Sequence, residues 1–356
     1  MIEHYKIYMN LPSRVKDSFI CKCLIPYLRE KEFSDYWIER RVEMLPVIHI
    51  YITKNKRIND IISKVPSHLE PLKSIIKEFV NDLSEEEKKE KEVYVKYNNE
   101  IRKMNRLGRL QRMPKNLSVT FEELQYVKRS GEYTYAEEPM IFNDTFKRLE
   151  NLYEDTYLYL FDHRNQEILF ILGLFYFSSK NLDRTGIGKG YRSYQSHVLG
   201  FLNYKKADME SYKKYFEDYY RKNITNLLKF YRMIDDNKTF CKSNLQIIVL
   251  LKRWKQALDE MYQKLFYVQQ DNNLSISIIE TIKSKIARHK FKKISQFHNI
   301  VFDKDHKSMF DTKEFNAYRM LVNFTYLILP NLGISSRKRV QVGYILVKIA
   351  QKEEEE

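Results

Sequence analysis

Cysteine is almost missing from this chain: Cys21, Cys23 and Cys241 are the only three in 356 residues. That excludes a disulfide scaffold, and Cys21 and Cys23, two apart on a helical stretch, point away from each other and suit neither a bridge nor a shared metal. The expected setting is a reduced cytoplasm. Glycine (9) and proline (8) are scarce as well, which predicts few loops and long helices. No apolar run is long enough for a bilayer. The most apolar one, ILFILGLFYF at 168–177, is about half a membrane span and predicts a core helix. The first ten residues, MIEHYKIYMN, are charged and alternating rather than signal-like. Paired Cys or His zinc motifs, His-Glu-x-x-His and Gly-x-Ser-x-Gly are all absent, which argues against a standard hydrolase or metalloenzyme. RTGIGKG at 184–190 has glycines and a lysine. It lacks the spacing and the following Ser or Thr of a phosphate loop, and predicts a connection between helices.

What the chain does have is core material and positive charge. Apolar residues make up 43% and aromatics 14%, so most of the chain should fold. The net charge of +15 suits nucleic acid, anionic lipid or an acidic peptide, unless the lysines are simply solvated. Arg102, Arg106, Arg109 and Arg112 are spaced four, three and three, a stripe along one helix face. Further basic clusters are KIARHKFKK at 285–293 and SSRKR at 335–339. Such clusters suit phosphate contacts if they converge on one surface.

The periodicities predict an α+β protein with a small, mostly antiparallel sheet on the N-terminal side and a large helical region. Residues 1–135 form the sheet-containing part, and residues 136–356 a mainly helical part packed on it as one compact unit. Strands are expected at 5–10, 33–41, 47–53 and 117–124, the second and third forming a hairpin. A helix capped by Ser13 should run to residue 31, with Val15, Phe19, Cys23 and Leu24 on its apolar side. A polar helical stretch covers 58–111, including the solvated run SEEEKKEKE at 84–92. Helices follow near 140–180, 189–203, 208–234, 242–270, 276–293 and 313–350, the last broken at LPNLGISS.

Two stretches carry candidate chemistry. In EMLPVIHIYI (43–52), alternation puts Val47, His49 and Tyr51 on one strand face and Ile48, Ile50 and Ile52 on the other. The isoleucines pack; the histidine face is the one whose role is open. In GYRSYQSHVLGFL (190–202), Ser193, Ser196 and His197 crowd a helix start beside Arg192. His197 there is either a neutral hydrogen-bonding group for chemistry or a cap for the turn.

Several segments, in order and over nearly the full length, resemble the lantibiotic dehydratase C-terminal family, also called thiopeptide-type bacteriocin biosynthesis proteins. They are the opening strand and the helix ending IPYL (25–28), YWIERRVEMLPVIHIYI (36–52), NLSVTFEELQYVKRSGEYTY (116–135), SYQSHVLGFL (193–202) and LVNFTYLILPNLGISSRKR (321–339). The family's strand after the proline commonly reads His-x-Arg-x-Arg, and its arginines serve removal of glutamate from glutamylated Ser or Thr. Val47, His49 and Tyr51 stand at those positions. The family's eliminating histidine aligns near Arg319, with Asn323 kept and Phe324 in place of an arginine. Beta-elimination needs a base and cations to stabilise an enolate and a leaving carboxylate, so the resemblance implies a substituted site.

Small stand-alone members of that family include ligases that add an amino acid from aminoacyl-tRNA to a peptide C-terminus, and enzymes that close pyridine rings in thiopeptides. The expectation drawn from resemblance and charge is a precursor-peptide-modifying enzyme acting by tRNA-dependent amino-acid addition. His49, Tyr51, Ser196 and His197 would be catalytic, and Arg192, Arg319 and Asn323 would bind substrate. Arg102, Arg106, Arg109 and Arg112 would hold tRNA. No tightly bound cofactor is implied, aminoacyl-tRNA serving as co-substrate. The alternatives are a non-catalytic peptide-binding partner of a separate modifying enzyme, and glutamate elimination with a rebuilt site. A homodimer stays open; a membrane partner is not expected.

Overall fold

The computed structural model describes residues 2–31, 36–42, 46–53, 68–104, 116–125, 127, 138–204, 208–271 and 312–355. Strands β1 (Ile2–Tyr8), β2 (Tyr36–Val42), β3 (Pro46–Thr53) and β4 (Ser118–Leu124) form one sheet in the order β2-β3-β1-β4. All three pairings are antiparallel. The rest of the described chain is helical, so the α+β architecture is the one its periodicities predict.

Each strand has a residue period of two, and the register aligns like with like. Tyr5 pairs with Ile50 and Phe121, Ile7 with Ile48 and Val119, and Ile38 with Ile50. These residues form a largely buried apolar face. The alternate residues, His4, Lys6, Trp37, Glu39, His49, Tyr51, Thr120 and Glu122, form the opposite face. One register therefore gathers isoleucines on one side and ionisable groups on the other.

The helix expected over residues 13–31 is interrupted. α1 (Ser13–Phe19) passes through a π-helical turn at Ile20–Leu24 into α2 (Ile25–Glu30), with Pro26 in its first turn. Proline has no N–H to donate back along the helix, and a wider turn just before it absorbs the lost bond. Pro12, not Ser13, holds the N-cap position, and no side chain caps this helix. The described part of the polar stretch after the hairpin, 68–104, holds two helices, α3 (Leu69–Asn81) and α4 (Glu85–Met104). A reciprocal capping box separates them: Ser84 N–H donates to Glu87 Oε2 (3.0 Å) and Glu87 N–H to Ser84 Oγ (3.2 Å). Cys21 is buried, Cys23 half-buried and Cys241 exposed, and no disulfide joins them.

The chain divides into two compact units: Met1–Arg129 with Phe146–Asp162 and Pro330–Gly333, and Ser130–Thr145 with His163–Leu329 and Ile334–Glu356. The first contains the sheet, α1 to α4 and α6 (Glu150–Asp162), α5 (Glu138–Arg148) lying across the boundary. An ionic lock holds its apolar side. Arg40 donates to Asp17 Oδ1 at 2.6 Å, Tyr157 Oη donates to the same oxygen at 2.8 Å, and the Arg40 N–H donates to Asn331 Oδ1 at 3.0 Å. Gly333 turns the chain beside it with φ of +78°, and a Cβ there would sit 2.6 Å from Arg40 Nη1. Only glycine meets both demands.

In the second unit, α7 (Glu167–Asp183) is buried around nearly its whole circumference, as its apolar run predicts. Around it are α8 (Tyr191–Tyr204), α9 (Met209–Asp235), α10 (Asn237–Lys242), α11 (Gln246–Asp271), α12 (Lys313–Asn331) and α13 (Ser336–Glu355), with α12 ending in the first unit. Small residues allow close approaches: a Cβ on Gly173 would lie 2.7 Å from Leu251, and one on Gly190 2.3 Å from the Ser179 carbonyl oxygen. The 184–190 segment is a helix connection, not a phosphate loop: Gly190 N–H donates to Asp183 Oδ1 at 2.7 Å. Among the described residues, no helix is long and apolar enough to cross a membrane. The predicted helix at 276–293, the basic cluster at 285–293 and the turn at 129–132 lie outside the described residues.

Candidate functional site

The ionisable face of the sheet is built by register. His4 on β1 lies opposite Tyr51 on β3 and Glu122 on β4, while Lys6 lies opposite His49. Directly opposed side chains on one face are in contact range, and here they hydrogen-bond in series. His4 Nδ1 is 2.8 Å from Glu122 Oε1, and His4 Nε2 is 2.8 Å from His49 Nδ1. Lys6 Nζ sits 3.2 Å from the same Glu122 oxygen. Tyr51 Oη lies 3.4 Å from His49 Nδ1. Aromatic stacking holds the rings: Trp37 to Tyr51 with centroids 4.8 Å apart, and Tyr51 to His4 at 4.3 Å. On β2, Glu39 accepts from Trp37 Nε1 (3.0 Å) and from Arg41 Nη2 (2.5 Å).

Burial grades along this row. The side chain of Glu122 is 47% exposed and that of His4 5%, while His49 as a residue is 1% exposed. Burial, aided by the charge of Arg41 and by His4 and opposed by Glu39, pushes His49 down to about 3. Burial also dominates at His4, where Lys6 adds to it and Glu122 opposes it; the result is about 4. Burial works against the Glu122 carboxylate, but the Lys6 hydrogen bond and charge and the contact with His4 outweigh it and keep Glu122 below its ordinary value. At neutral pH the row is therefore a carboxylate followed by two neutral imidazoles.

That charge state sets the direction of every hydrogen bond. A carboxylate only accepts, so His4 Nδ1–H donates to Glu122. A neutral His4 then has its lone pair on Nε2, which accepts from His49 Nδ1–H. The lone pair of His49 falls on Nε2. An ionised carboxylate orienting a neutral imidazole is the arrangement by which proteins prepare a histidine for proton transfer.

Of the residues singled out in the sequence, His49 and Tyr51 belong to this row. His4, Lys6 and Glu122 were missed, although alternation within IEHYKIY puts His4 and Lys6 on one face, and antiparallel pairing could then bring them opposite His49. Arg192, Ser196, His197, Arg319 and Asn323 lie in the second unit. There α8 presents an exposed His197 whose ring stacks on Tyr326 of α12 at 4.4 Å. The Arg339 guanidinium of α13 lies 5.9 Å from the Tyr326 ring centroid, and burial pushes its value down. Arg319, Asn323 and Tyr326, spaced four and three, share one side of α12. Asn323 Nδ2 lies 3.8 Å from Met320 Sδ, and the Arg192 N–H closes the turn to Lys189 O at 3.2 Å. Arg102 lies on α4; Arg106, Arg109 and Arg112 lie outside the described residues.

The second unit also has an open groove of about 500 Å³ lined by Thr185, Ile187, Tyr262, Gln263, Phe266 and Glu314. None of the candidate residues lines it. Among the described residues, no group of three His, Cys, Asp or Glu side chains is arranged to hold a metal ion.

No family model and no curated protein matches this chain. Solved structures do share its fold. One is described as the pyridine synthase TbtD from thiomuracin biosynthesis, with a TM-score of 0.59 and 12% identity over 99% of this chain and 98% of that one. Another is TsrL, with a TM-score of 0.61 and 14% identity over 100% of this chain and 96% of that one. At such identities the likeness concerns the fold.

Proposed function

We propose that the protein is an enzyme that modifies a ribosomally made precursor peptide by proton transfer at His49. The observation that carries this reading is the end-to-end similarity in fold to a pyridine synthase, 99% of one chain on 98% of the other. Elementary chemistry says what such a reaction demands. A pyridine nitrogen bears no hydrogen and its neighbouring ring carbons no carbonyl oxygen. Closing the ring from two dehydroamino acids of a peptide therefore requires removing an amide proton, expelling an oxygen as water and eliminating the amide nitrogen that remains on one ring carbon, so that the ring becomes aromatic. All three are acid–base steps, and a neutral histidine oriented by a hydrogen-bonded partner suits them. Stacked Tyr51 and neutral His49, at positions where the resembled family has arginines, fit proton transfer better than stabilisation of a departing glutamate. The test is incubation with a precursor peptide containing dehydroamino acids, followed by mass spectrometry. Loss of water together with release of the peptide segment attached through the departing nitrogen supports the reading. Binding without any mass change favours a non-catalytic peptide-binding partner, with a leader peptide added as a strand along the edge strand β4.

A second reading, tRNA-dependent addition of an amino acid to the peptide C-terminus, draws on the net charge of +15. Binding of total tRNA that falls steeply with salt, together with a peptide mass raised by one residue, would favour it; a flat salt response removes it. Conversion of a glutamylated peptide to a dehydroamino acid would instead revive elimination at a rebuilt site.

A further inference from the structure

We propose that Glu122, His4 and His49 form a two-state proton relay in which both imidazoles change tautomer together, switching His49 Nε2 between proton acceptor and proton donor. The proposal deepens the reading of His49 given above and rests on it for its chemical purpose. Its geometry is the pair of 2.8 Å hydrogen bonds in series and the gradient from a carboxylate 47% exposed to a histidine 1% exposed.

In the resting state Glu122 is ionised and both rings carry their hydrogen on Nδ1. A substrate X–H bond then breaks and its proton goes to His49 Nε2. The His49 Nδ1 proton passes to His4 Nε2, and the His4 Nδ1 proton passes to Glu122 Oε1. Three bonds to hydrogen break and three form. The substrate gains one negative charge as Glu122 loses one. Both rings end neutral with their hydrogen on Nε2, so His49 Nε2 has changed from acceptor to donor. Running the chain backwards delivers that proton to a leaving oxygen and restores the carboxylate. Alternatively, Glu122 passes the proton to water. A single base can also take a proton and later return it; the relay does so without leaving a positive charge on the buried His49 ring, which is 1% exposed.

The surrounding groups bias the resting state. Lys6, 3.2 Å from Glu122, favours its ionised form. Arg41 is neutralised by Glu39 yet still disfavours a cation on His49, so charge does not settle on the buried ring. Tyr51 stacks on His4 with planes 16° apart and limits its rotation. His4 and Glu122 are thus positioning residues acting through His49.

The tautomers can be read directly by ¹⁵N NMR of the full chain at pH 7.5. The expected result is two neutral rings, both with hydrogen on Nδ1, the reverse of the form histidine prefers in water. An Nε2–H resting tautomer or a charged ring at either position overturns the proposal. Glu122→Gln supplies the second readout. Its amide oxygen still accepts from His4 Nδ1, so the tautomers should persist, but it cannot take up the proton. Solvent exchange of the His49 ring N–H should slow by about tenfold or more. Unchanged exchange in a folded variant means a static polar contact and no relay. If Glu122→Gln fails to fold, the tautomer measurement on the unaltered chain still decides. Neither readout uses a peptide, so the relay can fail while peptide modification stands, and the reverse.

Discussion

The two faces of the four-stranded sheet both bury ionisable side chains and treat them in opposite ways. On one, Arg40 meets Asp17 at 2.6 Å, and Tyr157 and Asn331 add further hydrogen bonds. Opposite charges there offset each other's loss of water, and the Arg40 guanidinium stays charged. On the other, His4 and His49 contact each other, and burial drives both to the neutral form. Paired opposite charges make a fastener. Neutral groups with a lone pair directed by their partners suit the reagent proposed above. The second unit presents a third case in His197, exposed and stacked on Tyr326.

Breaking the fastener should give the largest effect. Asp17→Leu leaves the Arg40 charge buried without its carboxylate, which should cost about 3–5 kcal/mol. Chemical denaturation would show it as a lower midpoint with an unchanged slope, and activity should fall only as far as the folded fraction does. Breaking the reagent should do the reverse. His49→Phe keeps a ring in the stack but leaves the buried His4 Nε2 without its donor, so stability should fall by only about 1–3 kcal/mol, while conversion of a peptide substrate should fall by about 10²–10⁴-fold. A large loss of stability with activity retained would make the row architectural.

The pH dependence sharpens the contrast. The folded values of about 4 for His4 and about 3 for His49 lie below the unfolded value of 6.5. Above pH 7 both states are neutral and the pair contributes no slope. As the pH falls below 6.5 the unfolded chain binds protons first, so stability drops, by an amount on the order of 2–3 kcal/mol for the pair by pH 5.5, and further below it. Urea melts at pH 7.5, 5.5 and 4.5 check this, and His49→Phe should flatten the curve. The smallest effect is expected at His197. His197→Ala removes one stacked pair, a change of about 0.5–1 kcal/mol in a thermal melt. Loss of turnover there as deep as at His49 would give α8 a share in the chemistry.

Much of this fold could be read in advance because it follows from local rules. Alternation in VIHIYIT separated the isoleucines from His49 and Tyr51, and the apolar run of α7 required burial. The helix around Pro26 was less legible, because periodicity records which residues face the core and not where a missing N–H forces a π-turn. The division at Ser84 was written in its Ser-x-x-Glu spacing but hidden within a long charged run. His49 stood out as a lone polar residue among apolar ones. His4 and Glu122, 118 residues apart, did not, because each is unremarkable within its own strand.

By itself, then, the sequence determined the periodic faces, the positive charge and the small number of glycines that tight approaches require, since each depends on neighbours along the chain or on composition. Tertiary structure alone decided that Glu122, His4 and His49 lie side by side, because strand order and register are properties of pairing between distant segments. It also decided that the two imidazoles are neutral: that depends on how much water the folded chain removes and on which charges remain close by.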